Sequence, residues 1–266
     1  MKIFLTGASS GIGLAIARML SASGHEVWGT SREPTRIPQL ARLHPVLLDL
    51  SDPNLIDQAF AKALSEADHF DVVINNAGSG HFGPAEHLPV QEIASQFQIL
   101  VFGHLQLMQL ALNAMRSRGS GLIINVTSLA SRLPVPFMAA YNSAKAAMAA
   151  FTMSMQIELP DTGVRLVDLQ PADISTAFND AISKSAPPDS RYESNVAKTW
   201  KAVDRNMKAA PKPELVAKKV LKLIDATDPP PRITVGDTFQ SKIAPFIFRV
   251  LPQRLRVWGL KKYYGI

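Results

Sequence analysis

Thr6-Gly7-Ala8-Ser9-Ser10-Gly11-Ile12-Gly13 joins an apolar run at residues 2–6 to an amphipathic stretch at residues 12–23, and its reading decides the fold. Glycines here allow a tight turn between strand and helix and let another group come close to the backbone. The helix that follows presents free N–H groups, and its dipole favours an anion at that end. The glycines fall as G-x-x-x-G-x-G. That is neither G-x-G-x-x-G nor a Walker loop, and no Gly-Lys-Ser/Thr follows.

Working outward, short apolar runs alternate with helical patterns. Strands are expected at residues 2–6, 26–30, 46–48, 72–75, 121–126, 165–169 and 232–235. Helices are expected at 12–23, 54–67, 90–116, 140–158, 194–209 and 213–225. The strands are continuously apolar rather than alternating, as when helices cover both faces of a parallel sheet. The expected fold is α/β: a single doubly wound parallel sheet of Rossmann type flanked by helices. Residues 1–236 form that domain, and residues 237–266 a basic, apolar, helical extension packed on it or on a partner. Residues 182–191, with Ser185-Ala186-Pro187-Pro188-Asp189-Ser190, are too polar and proline-rich for regular structure. They read as a surface loop or a lid.

The chain has 266 residues, 47% of them hydrophobic, enough for one large core. No apolar run reaches the ~18 residues of a membrane span. Met1-Lys2-Ile3-Phe4-Leu5 gives way at once to polar and glycine residues, so no secretory leader is expected there. With no cysteine there is no disulfide, thiolate metal site or cysteine nucleophile, and no His/Asp/Glu group has metal-ligand spacing. A cytoplasmic protein is expected. The net charge of +6 comes from Lys242, Arg249, Arg254, Arg256, Lys261 and Lys262, with no acid after Asp237. Without these six, 22 basic residues balance 22 acids, so no nucleic-acid partner is expected. Any electrostatic partner belongs at the tail, which mixes these cations with Phe246, Ile247, Phe248, Val250, Trp258 and Leu260. Such a helix covers a pocket or a partner subunit, or lies on an anionic membrane surface.

Tyr141 and Lys145 stand one helical turn apart, and Ser128 follows an apolar strand. A phenol titrates near ~10, and an ammonium on the same helix face favours its ionised form. Ser128 can donate a hydrogen bond to an oxygen that is being transformed. Leu133-Pro134-Val135-Pro136-Phe137-Met138, His81-Phe82-Gly83 and Phe178 are expected to build an apolar pocket beside them.

Taken together, these residues resemble the short-chain dehydrogenase/reductase family over about residues 1 to 236. The motifs are the glycine-rich turn, Asn75-Asn76-Ala77-Gly78, Ser128 with Tyr141-x-x-x-Lys145, and Pro171-Ala172-Asp173-Ile174-Ser175-Thr176. The resemblance implies Ser128, Tyr141 and Lys145 as catalytic residues, with Tyr141 the general acid/base. It implies dinucleotide binding by Gly7, Ser9, Ser10, Gly11, Ile12 and Gly13, then Ser31, Arg32, Asp49 and Leu50. Asn76, Ala77 and Gly78 would join them, with Tyr141, Lys145, Pro171, Ile174 and Thr176. After the second strand the sequence reads Gly29-Thr30-Ser31-Arg32 with no acid until Glu33, which favours NADP(H), NAD(H) being the alternative. A hydrophobic carbonyl or alcohol substrate and a homodimer or homotetramer are implied. Extended tails of this general kind occur in relatives resembling hydroxysteroid and retinol dehydrogenases. Two positions depart from the pattern. Leu100 stands where the family commonly has a catalytic asparagine, so the proton relay is rerouted, through Gln98 for example, or the chain is a dinucleotide sensor with little turnover. Ala172 replaces the glycine expected after Pro171.

Overall fold

The computed structural model describes residues 1–159, 161–178, 182–184 and 190–266. Seven parallel strands form the main sheet: β1 (Lys2–Leu5), β2 (Glu26–Ser31), β3 (Leu43–Leu47), β4 (Val72–Asn75), β6 (Gly121–Val126), β7 (Val164–Pro171) and β9 (Arg232–Val235). Their order is β3-β2-β1-β4-β6-β7-β9. The chain winds outward from β1 to β3, then returns to the other side through β4. The switch of direction between β1 and β4 opens a crevice at the carboxyl ends of those strands, where ligands collect in such sheets.

Helices α1 (Gly11–Ala22), α2 (Pro53–Ala67), α3 (Val90–Phe97), α4 (Gly103–Arg118) and α5 (Ala139–Glu158) connect the strands, with α6 (Ser190–Ala209) and α7 (Glu214–Ile224) before β9. The Asp52 carboxylate caps α2 by accepting from the N–H groups of Asn54 and Leu55, and Pro53 supplies a preset first turn. One face of the sheet packs on α1 and α7 through Ile16, Leu20, Val216 and Val220, all fully buried. The other face buries Phe4, whose ring lies 5.3 Å from Phe60 and 5.4 Å from Phe70. Burying a phenylalanine of this kind contributes roughly 2–3 kcal/mol.

Three expectations are corrected. The strand expected at 46–48 runs Leu43–Leu47 and contains Pro45, which is tolerated because β3 is the sheet's edge. The single helix expected at 90–116 is broken by a π-helical turn at Gln98–Phe102. Part of the segment expected to be irregular is regular. β8 (Ser183–Lys184) pairs in parallel with β5 (His81–Phe82), and α6 starts at Ser190. Residues 185–189 of that segment lie outside the described residues. The tail forms a second π-helical turn (Phe239–Ile243), then α8 (Ala244–Val250) and α9 (Gln253–Tyr264). Among the described residues no helix is long and apolar enough to cross a membrane.

Candidate active site

β1 ends at Leu5 and β4 at Asn75, and the loops that follow are tied together by the Thr6 hydroxyl. It accepts the backbone N–H groups of Asn76 and Ala77 at 2.8 and 2.9 Å, while the Asn76 amide donates to the Thr6 carbonyl at 2.9 Å. This clamp sets the glycine turn against Asn76-Ala77-Gly78. Gly7 has φ +73°, and a Cβ there would lie 2.9 Å from Ala77 Cα. A Cβ on Gly13 would lie 2.0 Å from the Gly7 carbonyl oxygen. Ser10, at the N-cap of α1, uses no side-chain hydrogen bond to close the helix.

A cavity of about 640 Å³ opens here, and every catalytic and dinucleotide-binding residue implied by the resemblance lines it. Gly7, Ser9, Ser10, Gly11, Ile12 and Gly13 form one wall. Ser31, Arg32, Asp49 and Leu50 border the β2 side, and Asn76, Ala77 and Gly78 the floor. Ser128, Tyr141 and Lys145 line the cavity too, as do Pro171, Ile174 and Thr176, the last beside Gly11. A dinucleotide fits these features: a helix start uncapped by its own side chain, glycines where a Cβ would collide, and a cationic rim. Arg32 is exposed on that rim, and Arg36, unnoticed in the sequence, joins it. No sequence pattern marked Arg36: it ends a short turn, Pro34–Arg36, that follows β2.

Ser128 sits at the start of the turn after β6, where its oxygen accepts the Ala130 N–H at 3.1 Å. Burial pushes the Tyr141 phenol above its ordinary range, a hydrogen bond with Ser128 opposes that, and Asp173 adds repulsion. The expected lowering by Lys145 is therefore not what governs Tyr141 in the chain alone. The Lys145 Nζ lies 5.9 Å from the Tyr141 ring centre and donates to the Val126 carbonyl at 2.8 Å. Desolvation brings Lys145 down to about 8, with the buried Asp168 opposing.

Leu100 is fully buried and packs with Val101 and Ala144 against Tyr141. A Cβ on Gly78 would come 3.2 Å from its Cδ2. The helix break survives without an asparagine. Gly103 donates its N–H to the Gln98 carbonyl, and a Cβ on Gly103 would lie 2.8 Å from the Leu50 carbonyl oxygen. The Gln98 amide donates to that Leu50 carbonyl at 3.2 Å, so it holds the turn and is committed away from a relay. His104, also missed in the sequence, is buried, 3.3 Å from the Thr6 hydroxyl. Burial holds it near 3, Lys145 adds to the depression, and a hydrogen bond with the Leu100 backbone opposes. At Ala172 the extra methyl is accommodated by Gly236, whose own Cβ would approach it to 2.6 Å.

The apolar end of the cavity is built partly as expected, by Leu133, Val135, Met138 and Phe178. His81, Phe82 and Gly83 do not line it. Phe82 is buried against Met138 and Ile182, and His81 is hydrogen-bonded to Ser183. The missing wall comes from the tail: Phe248, Leu251, Leu260 and Tyr264. The sequence showed an amphipathic tail but not which of its faces turns inward.

A family profile described as short chain dehydrogenase matches residues 1–187, and the chain belongs to that family of oxidoreductases. It is similar to the 3-ketodihydrosphingosine reductase of Bacteroides thetaiotaomicron, at 29% identity over 266 residues covering 99% of this chain and 98% of that one. It is also similar to a probable short-chain type dehydrogenase/reductase of Helicobacter pylori, 33% identical and covering 74% of each chain. A short-chain dehydrogenase from Streptomyces avermitilis superposes with a TM-score of 0.81 at 26% identity, covering 98% of this chain and 96% of that one. The 3-ketoacyl-(acyl-carrier-protein) reductase of Brucella melitensis complexed with NADH shares the fold at 22% identity, with a TM-score of 0.75 over 90% and 98% of the two chains.

Proposed function

We propose that this protein is an NADPH-dependent reductase that turns the ketone of a hydrophobic molecule into an alcohol, with Tyr141 as the general acid. The observation that carries this reading is that Ser128, Tyr141 and Lys145 meet in the wall of one cavity whose other end is the glycine turn and Arg32. A bound reduced nicotinamide supplies the hydride. Ser128 would hold the carbonyl oxygen, and Tyr141 would give that oxygen its proton. Burial keeps the phenol protonated, which suits reduction rather than oxidation. Lys145, locked by the Val126 carbonyl, supplies positive charge beneath the site. Arg32 offers a planar fork of donors to a 2′-phosphate. The apolar wall from Leu133 to Leu260 favours a lipophilic substrate over a sugar. The similarity to a 3-ketodihydrosphingosine reductase over almost the whole chain points the same way. In this reading the protein is a cytoplasmic homo-oligomer whose basic tail is free to meet a membrane surface.

The test offers purified protein NADPH or NADH with a panel of lipophilic ketones and follows dinucleotide oxidation. NADPH-dependent turnover is expected. Leu100 motivates a second reading, a dinucleotide sensor. Tight NADPH binding without turnover on any ketone or quinone would establish the sensor instead.

A further inference from the structure

Beside the main cavity lies a second one of about 530 Å³, lined by Arg132, Leu133, Arg232, Pro245, Phe248, Arg249 and Arg256. Four arginines around one opening are costly in mutual repulsion unless an anion joins them. Among the described residues the one carboxylate paired with any of them is Asp168, on Arg232 at 2.7 Å. Arg132 and Arg256 are held by neutral groups, and Arg249 is exposed. Arg132 donates to the Thr234 hydroxyl at 2.9 Å, and its buried Nε has no acceptor in the chain. Arg256 donates to the carbonyls of Leu251 and Arg249 and lies 5.3 Å over the Phe248 ring. Preset guanidinium forks of this kind match a phosphate oxygen pair.

The same tail elements carry an apolar face that the protein leaves uncovered. On α8, Phe246 and Val250 are 68% and 64% exposed, and they share a helix face with Arg249. On α9, Val257 and Trp258 are 45% and 60% exposed, on one face with Arg254 and Lys261. The rest of the α9 surface, with Leu255, Gly259, Leu260 and Tyr263, contributes to the wall of the main cavity. A helix that is apolar towards both its own protein and its outside is not an ordinary solvent-facing cover. A second copy is a poor occupant, since it would bring the same cations and no acid after Asp237. Apolar side chains interleaved with snorkelling cations match the headgroup layer of an anionic membrane.

We propose that the arginine-lined cavity seats the phosphate headgroup of an anionic phospholipid, and that the outer faces of α8 and α9 dock this protein on an anionic bilayer. Leu133, Phe248 and Arg256 line both cavities. Docking therefore sets the mouth of the substrate cavity against the lipid, so a long-chain ketone passes from the bilayer to Tyr141 without crossing water. That last step rests on the proposed activity. The docking does not.

The test is sedimentation of the full chain with phosphatidylglycerol vesicles and with phosphatidylcholine vesicles, beside turnover of a short, water-soluble ketone. Binding to the anionic vesicles alone is expected, with a blue shift of Trp258 fluorescence. Arg249→Glu, and separately Phe246→Ser with Trp258→Ser, should each weaken that binding roughly tenfold or more. Soluble-ketone turnover should stay unchanged, showing that the variants are folded. Equal binding to both vesicle types, or native binding by either variant, overturns the proposal. Binding of inorganic phosphate by a protein that sediments with neither vesicle type overturns it in favour of a free-anion site. A mass that drops to that of a single chain in the Trp258 variant, without vesicles, overturns it in favour of a second copy. No turnover by any form, with vesicle binding intact, defeats the activity and leaves the docking standing.

Discussion

In the proposed function Arg32 and Lys145 serve the cofactor and the proton chemistry separately, and each can be tested alone. Arg32 sits exposed on the cavity rim, with Glu33 beside it in the same lining and Arg36 close by. Arg32→Ala should weaken NADPH binding about tenfold or more while NADH binding is unchanged, since one charge-assisted pair contributes about 1.5–3 kcal/mol. Titration calorimetry with both dinucleotides reads the ratio, and an unaltered preference would reduce Arg32 to a surface charge. Lys145, held down to about 8 by desolvation, is an ammonium below that pH and an amine above it. The kcat/KM for NADPH, which reports groups of the free enzyme, should fall as pH rises through about 8. A profile flat to pH ~10 would remove Lys145 from the mechanism. Tyr141 shows where spacing alone misleads. Four residues of separation correctly put its ring near Lys145, but burial, invisible in the sequence, raises the phenol against the hydrogen bond with Ser128.

The π-helical turn at Gln98–Phe102 is an element that the sequence concealed. Its apolar periodicity continues through residues 90–116, whereas the break accompanies a long-range feature, the close approach of Gly103 to the Leu50 carbonyl. His104 stands in the first turn of α4 beyond it, buried against Thr6. Its folded-state pKa of about 3 lies below the 6.5 of the unfolded chain. Between those values the unfolded state binds more protons, so stability is complete above about 6.5 and is lost as pH falls, by about 1.4 kcal/mol per pH unit at most. Chemical denaturation of native protein and His104→Gln from pH 7 to 5 should show a shallower slope in the variant; parallel slopes would contradict the buried neutral imidazole. The glycine turn, Asn75–Gly78 and the strands were legible because their local patterns are strong. β8 was not, because two residues, Ser183 and Lys184, carry no period, and their pairing depends on His81 and Phe82, about a hundred residues earlier.

At the scale of the whole molecule, the sheet order puts β1 and β4 side by side, so residues as distant as Ser10, Tyr141 and Tyr264 share one cavity. The sequence announced the crevice, since alternating strands and helices imply it. It could not show that the tail folds back over the apolar end, because the tail has apolar residues on both faces. Away from the tail, Phe102, Phe151, Met153 and Ile157 are exposed apolar groups on and beside α5. We expect them to form the contact between subunits. Light scattering should find a dimer or tetramer, and Phe151→Ser with Ile157→Ser should shift it towards the 28.9 kDa single chain. A native protein that is already a single chain would refute that contact.

The most direct measurement follows deuterium from 4-labelled NADPH into product when a lipophilic ketone is offered to native protein and to Tyr141→Phe. Label on the new carbinol carbon is expected from the native protein. In the variant, transfer should slow by about 100-fold or more while NADPH still binds. Equal transfer by both proteins, or an alcohol formed without label, would contradict the account.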